Sequence, residues 1–134
     1  MAMQISNYLS AALLNAVLRN TAFTSPATVY IALYTSDPTA ADTGTEVNGG
    51  AYARRPITFA AAAIESGKMT VKMSADVEFA IATADWGLVT HIGLRTAATG
   101  GNLLWTQALT NPRTIQSGDK AKFLAGSTLV RFAQ

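Results

Sequence analysis

Apolar positions recur at helical spacing over residues 4–19 and at strand spacing over most of the remaining chain. In the first segment Ile5, Leu9, Ala12, Leu13, Ala16 and Val17 fall three and four apart, on one face of an expected helix. Ser6 or Asn7 is suited to cap its start, and Asn20-Thr21 closes it ahead of Pro26. Leu14 and Leu18 widen the apolar arc past half the circumference, so this helix is expected to touch two neighbours. Covering the end or face of its own sheet is one use of that surface, and contact with another subunit is the other.

From Val29 the period changes to two. Val29, Ile31 and Leu33 alternate with Tyr30, Ala32 and Tyr34, and both faces are apolar, as in a central strand. Residues 36–53 then carry Asp37-Pro38, Thr43-Gly44 and Gly49-Gly50 with hardly a bulky apolar side chain, which reads as a long surface loop. Loops beyond about 12–15 residues are commonly functional, so this one is a candidate contact region with backbone free of sheet pairing. Short strands are expected at residues 57–59, at 68–73 with Met69, Val71 and Met73 inward, and at 76–81 with Val77, Phe79 and Ile81 inward. A hairpin of residues 88–94 and 102–109 turns on Thr99-Gly100-Gly101. An Asn111-Pro112 turn, a strand at 113–115, a Ser117-Gly118-Asp119 turn and a last pair at 120–124 and 127–132 complete the set. Short strands at turn spacings of roughly 8–12 residues point to an all-β sandwich or jelly roll with one N-terminal α-helix. The whole of 1–134 is expected to be one domain, the helix at about 4–19 followed by an antiparallel β-sandwich at 28–134.

Composition narrows the function. Only 13% of the 134 residues are charged while 49% are apolar, so the surface is largely neutral, as suits a chain packed against partners. Ten Lys and Arg against eight Asp and Glu leave a net charge of +2, and no element carries the basic stripe that neutralises a row of phosphates. No nucleic-acid partner is expected. With no cysteine there is neither a disulfide framework nor a thiolate metal site, which fits assembly in a reducing cytoplasm. No charged segment precedes an apolar run at the N-terminus, and no run approaches the roughly 18 residues that span a bilayer, so neither a secretion signal nor membrane association is expected.

The chemistry-bearing residues are sparse. His91 is the only histidine, lies in a core-like strand and lacks a second histidine at ligand spacing, so a hydrogen-bonded structural role is expected and no metal or other cofactor. No serine has the Gly-x-Ser-x-Gly context of a nucleophile elbow. Asp76 and Glu78 share one strand face without a cleft between them, and Lys68, Lys72 and Arg95 are the expected cross-strand partners of these carboxylates. Gly49-Gly50 and Gly100-Gly101 lack a phosphate-loop context and read as turns. Trp86, beside Gly87 at a strand entrance, and Trp105, inside an apolar run, are expected to pack in the core or at a corner. No enzyme constellation emerges.

Trp86-Gly87, Val89-Thr90-His91-Ile92-Gly93-Leu94 and Ala97-Ala98-Thr99-Gly100-Gly101-Asn102-Leu103-Leu104 resemble a family of small virion proteins of tailed bacteriophages. Members are labelled tail-fibre-like proteins or capsid decoration (cement) proteins. The likeness extends to Ser6-Asn7-Tyr8-Leu9, Tyr30-Ile31-Ala32-Leu33-Tyr34-Thr35, Gly49-Gly50-Ala51-Tyr52-Ala53-Arg54 and Ser117-Gly118-Asp119, so it covers nearly the whole chain. It implies a non-enzymatic structural protein of the virion, assembled in the host cytoplasm. Because the chain lacks the repetitive sequence of a fibre shaft, the expected role is capsid decoration: a homo-oligomer, a trimer, bound to the major capsid protein and stabilising its shell. The alternative is a tail-tip, head-fibre or tail-fibre protein that binds a receptor or glycan. Interface residues are expected at Ile5, Leu9, Leu13 and Val17 on the helix and at Asp37, Thr43, Glu46 and Asn48 on the long loop. Trp86, His91, Gly100, Gly101 and Trp105 form the structural motif.

Overall fold

A computed structural model describes residues 3–131 of the chain. A single helix and ten strands succeed one another in it: β1 (Gln4–Ile5), α1 (Asn7–Leu18), β2 (Val29–Tyr34), β3 (Arg55–Ile57), β4 (Ala63–Glu65), β5 (Lys68–Lys72), β6 (Val77–Glu78), β7 (Gly87–Arg95), β8 (Leu103–Ile115), β9 (Lys122–Phe123) and β10 (Leu129–Arg131). The fold is all-β with one N-terminal helix. Its main sheet is antiparallel in the order β1-β8-β7-β2-β3, accompanied by a three-stranded sheet β10-β5-β4 and the pair β6-β9. Phe132, at the end of the expected last strand, lies outside the described residues.

Antiparallel partners point to the same side of a sheet, so the register divides the main sheet into two faces. Ile31, Leu94, Trp105 and Ile5 align across it, as do Leu33, Ile92 and Gln107. Ile31, Leu33, Ile92 and Leu94 join one apolar core with Met73, Val77, Phe79 and Trp86, against which Val130 and Phe123 pack. The opposite face carries Tyr34, paired with His91, and Tyr30, paired with Arg95. Tyr34 and Arg95 are nonetheless buried. Residues 36–53 lie over them, with Glu46 bridged to Tyr34 and Asp42 paired with Arg95. The start of α1 is tied to the same loop by the Asn7 N–H donating to the Ala40 carbonyl at 2.8 Å.

Several expected elements take a different form. The helix begins at Asn7 rather than near residue 4, because the Ser6 side chain accepts the Leu9 N–H at 3.1 Å and a capping residue adopts extended backbone, here φ −74° and ψ 159°. Gln4 and Ile5, thereby outside the helix, pair with Thr106 and Trp105 as an edge strand. The strand expected at 76–81 is cut to Val77–Glu78: past it the Phe79 and Ala82 N–H groups donate to the Ala121 and Asp119 carbonyls, and Ile81 turns out to solvent. The Asn111-Pro112 turn is instead a bulge within β8, where Val89 and His91, two apart, pair with Arg113 and Ala108. Pro112 has no N–H to give a ladder, so a break in pairing suits it. Ala63–Glu65 is a strand that the alternation did not announce.

Candidate functional site

Functionally suggestive polar groups concentrate where residues 36–53 meet the turn between β7 and β8. β3 pairs only with Val29, Tyr30 and Ile31, leaving the rest of the β2 edge open. Residues 45–47 take that place: the Thr35 N–H donates to the Thr45 carbonyl at 2.9 Å and the Val47 N–H to the Leu33 carbonyl at 3.0 Å. The Leu33 N–H donates to the Tyr52 hydroxyl at 3.0 Å. The loop is therefore not free of sheet pairing; it finishes an edge whose open N–H and C=O groups would otherwise be a template for aggregation. Val47 and Pro38 are its buried anchors.

Two arginines fasten this loop to the hairpin turn. Arg54 makes a forked contact with Glu46, Nε to Oε2 at 2.8 Å and Nη2 to Oε1 at 2.7 Å, while its Nη1 donates to the Ala97 and Gly100 carbonyls at 2.8 Å each. Arg95 forms a second fork with Asp42 at 2.7 and 2.9 Å, and it also reaches the Tyr34 hydroxyl at 2.9 Å and the Gly101 carbonyl at 3.1 Å. The Tyr52 hydroxyl donates to Glu46 Oε2 at 2.6 Å. Gly100 and Gly101 both hold positive φ, 61° and 68°, which turns their carbonyls onto the two guanidiniums at little cost for glycine. Planar, forked recognition of this kind needs arginine and is not reproduced by the point charge of lysine.

These contacts set the electrostatics. Burial works against the charge on Glu46, but the hydrogen bonds from Arg54 and Tyr52 outweigh it and hold the carboxyl below its ordinary pKa. Burial, and then the adjoining Glu46 carboxylate, push the Tyr52 phenol far above its usual range. Arg95 loses hydration, yet its contacts with Asp42 and Tyr34 leave it more firmly protonated than a free arginine. All of these shifts favour one fixed charge state near neutrality. None produces the group poised to exchange a proton that acid–base catalysis calls for.

Asp37, Thr43, Glu46 and Asn48 sit on this one loop, but their uses differ. Asp37 Oδ1 accepts the Thr39 N–H at 2.8 Å and lies 3.8 Å from His91 Nε2, while His91 Nδ1 is 2.8 Å from the Thr90 hydroxyl. The Thr43 N–H donates to the Pro38 carbonyl, and its hydroxyl contacts that of Thr39 at 3.0 Å. Glu46 is engaged by Arg54, and Asn48 is exposed. Trp86 is buried and donates its indole N–H to the Gly50 carbonyl at 2.8 Å, with Tyr52 edge-on at 5.4 Å and Phe79 at 6.4 Å. A Cβ at Gly50 would stand 2.8 Å from that indole nitrogen, so the Gly49-Gly50 turn also serves close packing. Trp105 borders an apolar cavity of about 200 Å³ between the main and three-stranded sheets, with Val29, Phe59, Met69 and Val130. A groove of about 800 Å³ runs between the β8 bulge and residues 119–124.

Leu9 is buried, Ile5 and Leu13 are half-buried, and Val17 is exposed within the chain. The carboxylates Asp76 and Glu78 face Lys120 and Lys122 rather than Lys68, Lys72 and Arg95: Glu78 lies 2.9 Å from Lys120 and 3.4 Å from Lys122. Lys72 pairs with Glu65, and Arg95 has turned to the other end of the sheet and to Asp42. Sequence reasoning missed the Arg54–Glu46 and Arg95–Asp42 pairs, although Arg54 closes the Gly49–Arg54 motif and only eight residues separate it from Glu46.

Among the described residues no three His, Asp or Glu side chains are grouped to hold a metal ion, and no helix is long and apolar enough to cross a membrane. No curated protein matches the chain. A family model described as podophage GP4 fiber I protein gp80 matches residues 4–131, through the loop, both arginines and the hairpin, and the chain belongs to that family of tailed-phage virion structural proteins.

Proposed function

We propose that this chain is a non-catalytic fibre subunit of the phage particle, working in several copies, with the arginine-fastened loop end as its outward contact surface for a receptor or glycan. One observation carries the reading. Two forked arginine–carboxylate pairs bind residues 36–53 and the turn at residues 97–101 into one body, so that end is a pre-shaped surface and not a lid. A surface whose loops are ordered beforehand loses less entropy on binding, and loops on a rigid β scaffold are a common seat of recognition. The fibre name of the matching family supports this role over shell cementing. Assembly from a host cytoplasm agrees with a chain that has no cysteine to oxidise.

Electron cryo-microscopy of virions, with the chain's copy number measured against the major capsid protein, tests the proposal. A few dozen copies or fewer on fibres are expected, together with slower adsorption of particles carrying Asn48→Arg at normal fibre occupancy. Hundreds of copies spread over the shell would overturn the fibre role in favour of capsid decoration. Unchanged adsorption of several such loop variants would remove the receptor contact from residues 36–53.

A further inference from the structure

We propose that the solvent-facing side of α1 is the surface by which copies of this chain associate, helix against helix. This deepens the fibre reading by naming the partner of the helix as a second copy, and it rests on that reading only for the expectation of several copies. The helix has two apolar sides. Leu9, Ala12, Leu13 and Ala16 lie toward the chain's own sheet and are buried or half-buried. On the opposite side Asn7, Ala11, Leu14 and Leu18 succeed one another at intervals of four, three and four residues, the spacing that lines up a seam between paired helices. Leu14 is 58% exposed and Leu18 74%, with Val17 at 78% on one flank and Tyr8 at 42% on the other.

An identical helix fits this side better than an unlike partner does. No residue from Asn7 to Leu18 is charged, so two copies of the face meet without like-charge repulsion, while a partner that recognises by charge finds nothing there to grip. The positions beside the seam are Ser10 and Asn15, small or neutral and able to stand against themselves. The exposed apolar side chains offer on the order of 400–500 Å² per copy, whereas a stable interface takes about 800 Å² from each partner. A single helix pair is therefore expected to be weak and concentration-dependent, and stronger where each helix meets two neighbours and uses both the Tyr8 and the Val17 flank. Apolar burial is the driving force.

Sedimentation or light scattering of the purified full chain over a concentration series, with Leu14→Glu/Leu18→Glu beside it, tests this. The wild type is expected to show a multiple of the 14.0 kDa chain mass that grows with concentration, and the variant to run as a single chain with its thermal midpoint retained. The chain has no cysteine, so single cysteines give a second reading on folded protein. Oxidised Ala11→Cys chains linking to each other, or to Leu14→Cys chains in a mixture, place the helices side by side, parallel or antiparallel respectively; an Asn48→Cys chain is the control. A wild type that stays monomeric throughout, a variant that keeps the wild-type mass, or cysteines that link no faster than the control would each overturn the proposal. These failures leave the fibre role standing, and finding the copies on the shell would end the fibre role while leaving a helix seam intact.

Discussion

Replacing Arg95 with Met isolates the contribution of one arginine fork, because Met keeps much of the aliphatic stem's packing while deleting the guanidinium. The Arg95 side chain is 9% exposed and its partner Asp42 33%, so the two ends of the pair fare differently when it is broken. Asp42 regains water and recovers much of what it loses. The Tyr34 hydroxyl does not: its side chain is fully buried, and Arg95 is its hydrogen-bond partner. Stranding a buried polar group costs about 1–3 kcal/mol, and removing one member of a buried ion pair about 3–5 kcal/mol. With Asp42 discounted for its exposure, Arg95→Met is expected to lose about 3 kcal/mol, which for a chain of this size lowers Tm by roughly 10–15 °C. Arg95→Lys restores charge but not the fork and is expected to recover only part of the loss. Adding Tyr34→Phe to Arg95→Met removes the stranded hydroxyl and is expected to return about 1 kcal/mol. Thermal and urea unfolding of the four proteins give these differences. A loss below about 1 kcal/mol for Arg95→Met, or no recovery on adding Tyr34→Phe, would refute the view that the fork and its buried hydroxyl hold the loop end.

Acid is expected to act through Glu46, whose folded pKa lies below its ordinary value of 4.5. A depressed carboxylate adds stability that is complete above the unfolded pKa and is lost as pH falls through the folded one, so the urea midpoint is expected to fall below about pH 4.5, and less steeply in Glu46→Gln. The two turn glycines separate backbone strain from crowding. Gly100→Ala, at φ 61° with open space around it, is expected to lose about 1–2 kcal/mol from the left-handed conformation alone. Gly101→Ala, whose Cβ would lie 2.6 Å from Thr96 Oγ1, is expected to lose about 1 kcal/mol more, and equal losses by thermal unfolding would contradict the crowding.

Whether a feature could be read from the sequence depended on how far along the chain its physical cause lay. The alternation from Val29 to Tyr34 reports burial on both faces of one strand, a local pattern with a local cause, and β2 occupies those six residues. The turn glycines of the β7–β8 hairpin likewise declare themselves, since positive φ is a property of single positions. Helix and strand spacing compete at Ile5, where the deciding fact is the Ser6 cap: a cap must lie outside the helix, so the apolar residue before it is released to the sheet edge. The loop of residues 36–53 looked unpaired because its composition is that of a turn, while what orders it is remote. Arg95 lies 53 residues from Asp42, and Arg54 lies 46 from the Gly100 carbonyl. Neither separation has a periodicity, and Arg95 had carboxylates nearer in sequence at Asp76 and Glu78 with which to be matched. Those carboxylates instead meet Lys120 and Lys122 once β6 pairs with β9. Only the strand order brings either set together. The missing charge on α1 is of the opposite kind, written in twelve consecutive letters and given its meaning by the fold, which spends one apolar side of the helix on the chain's own sheet and leaves Leu14, Val17 and Leu18 for another surface to cover.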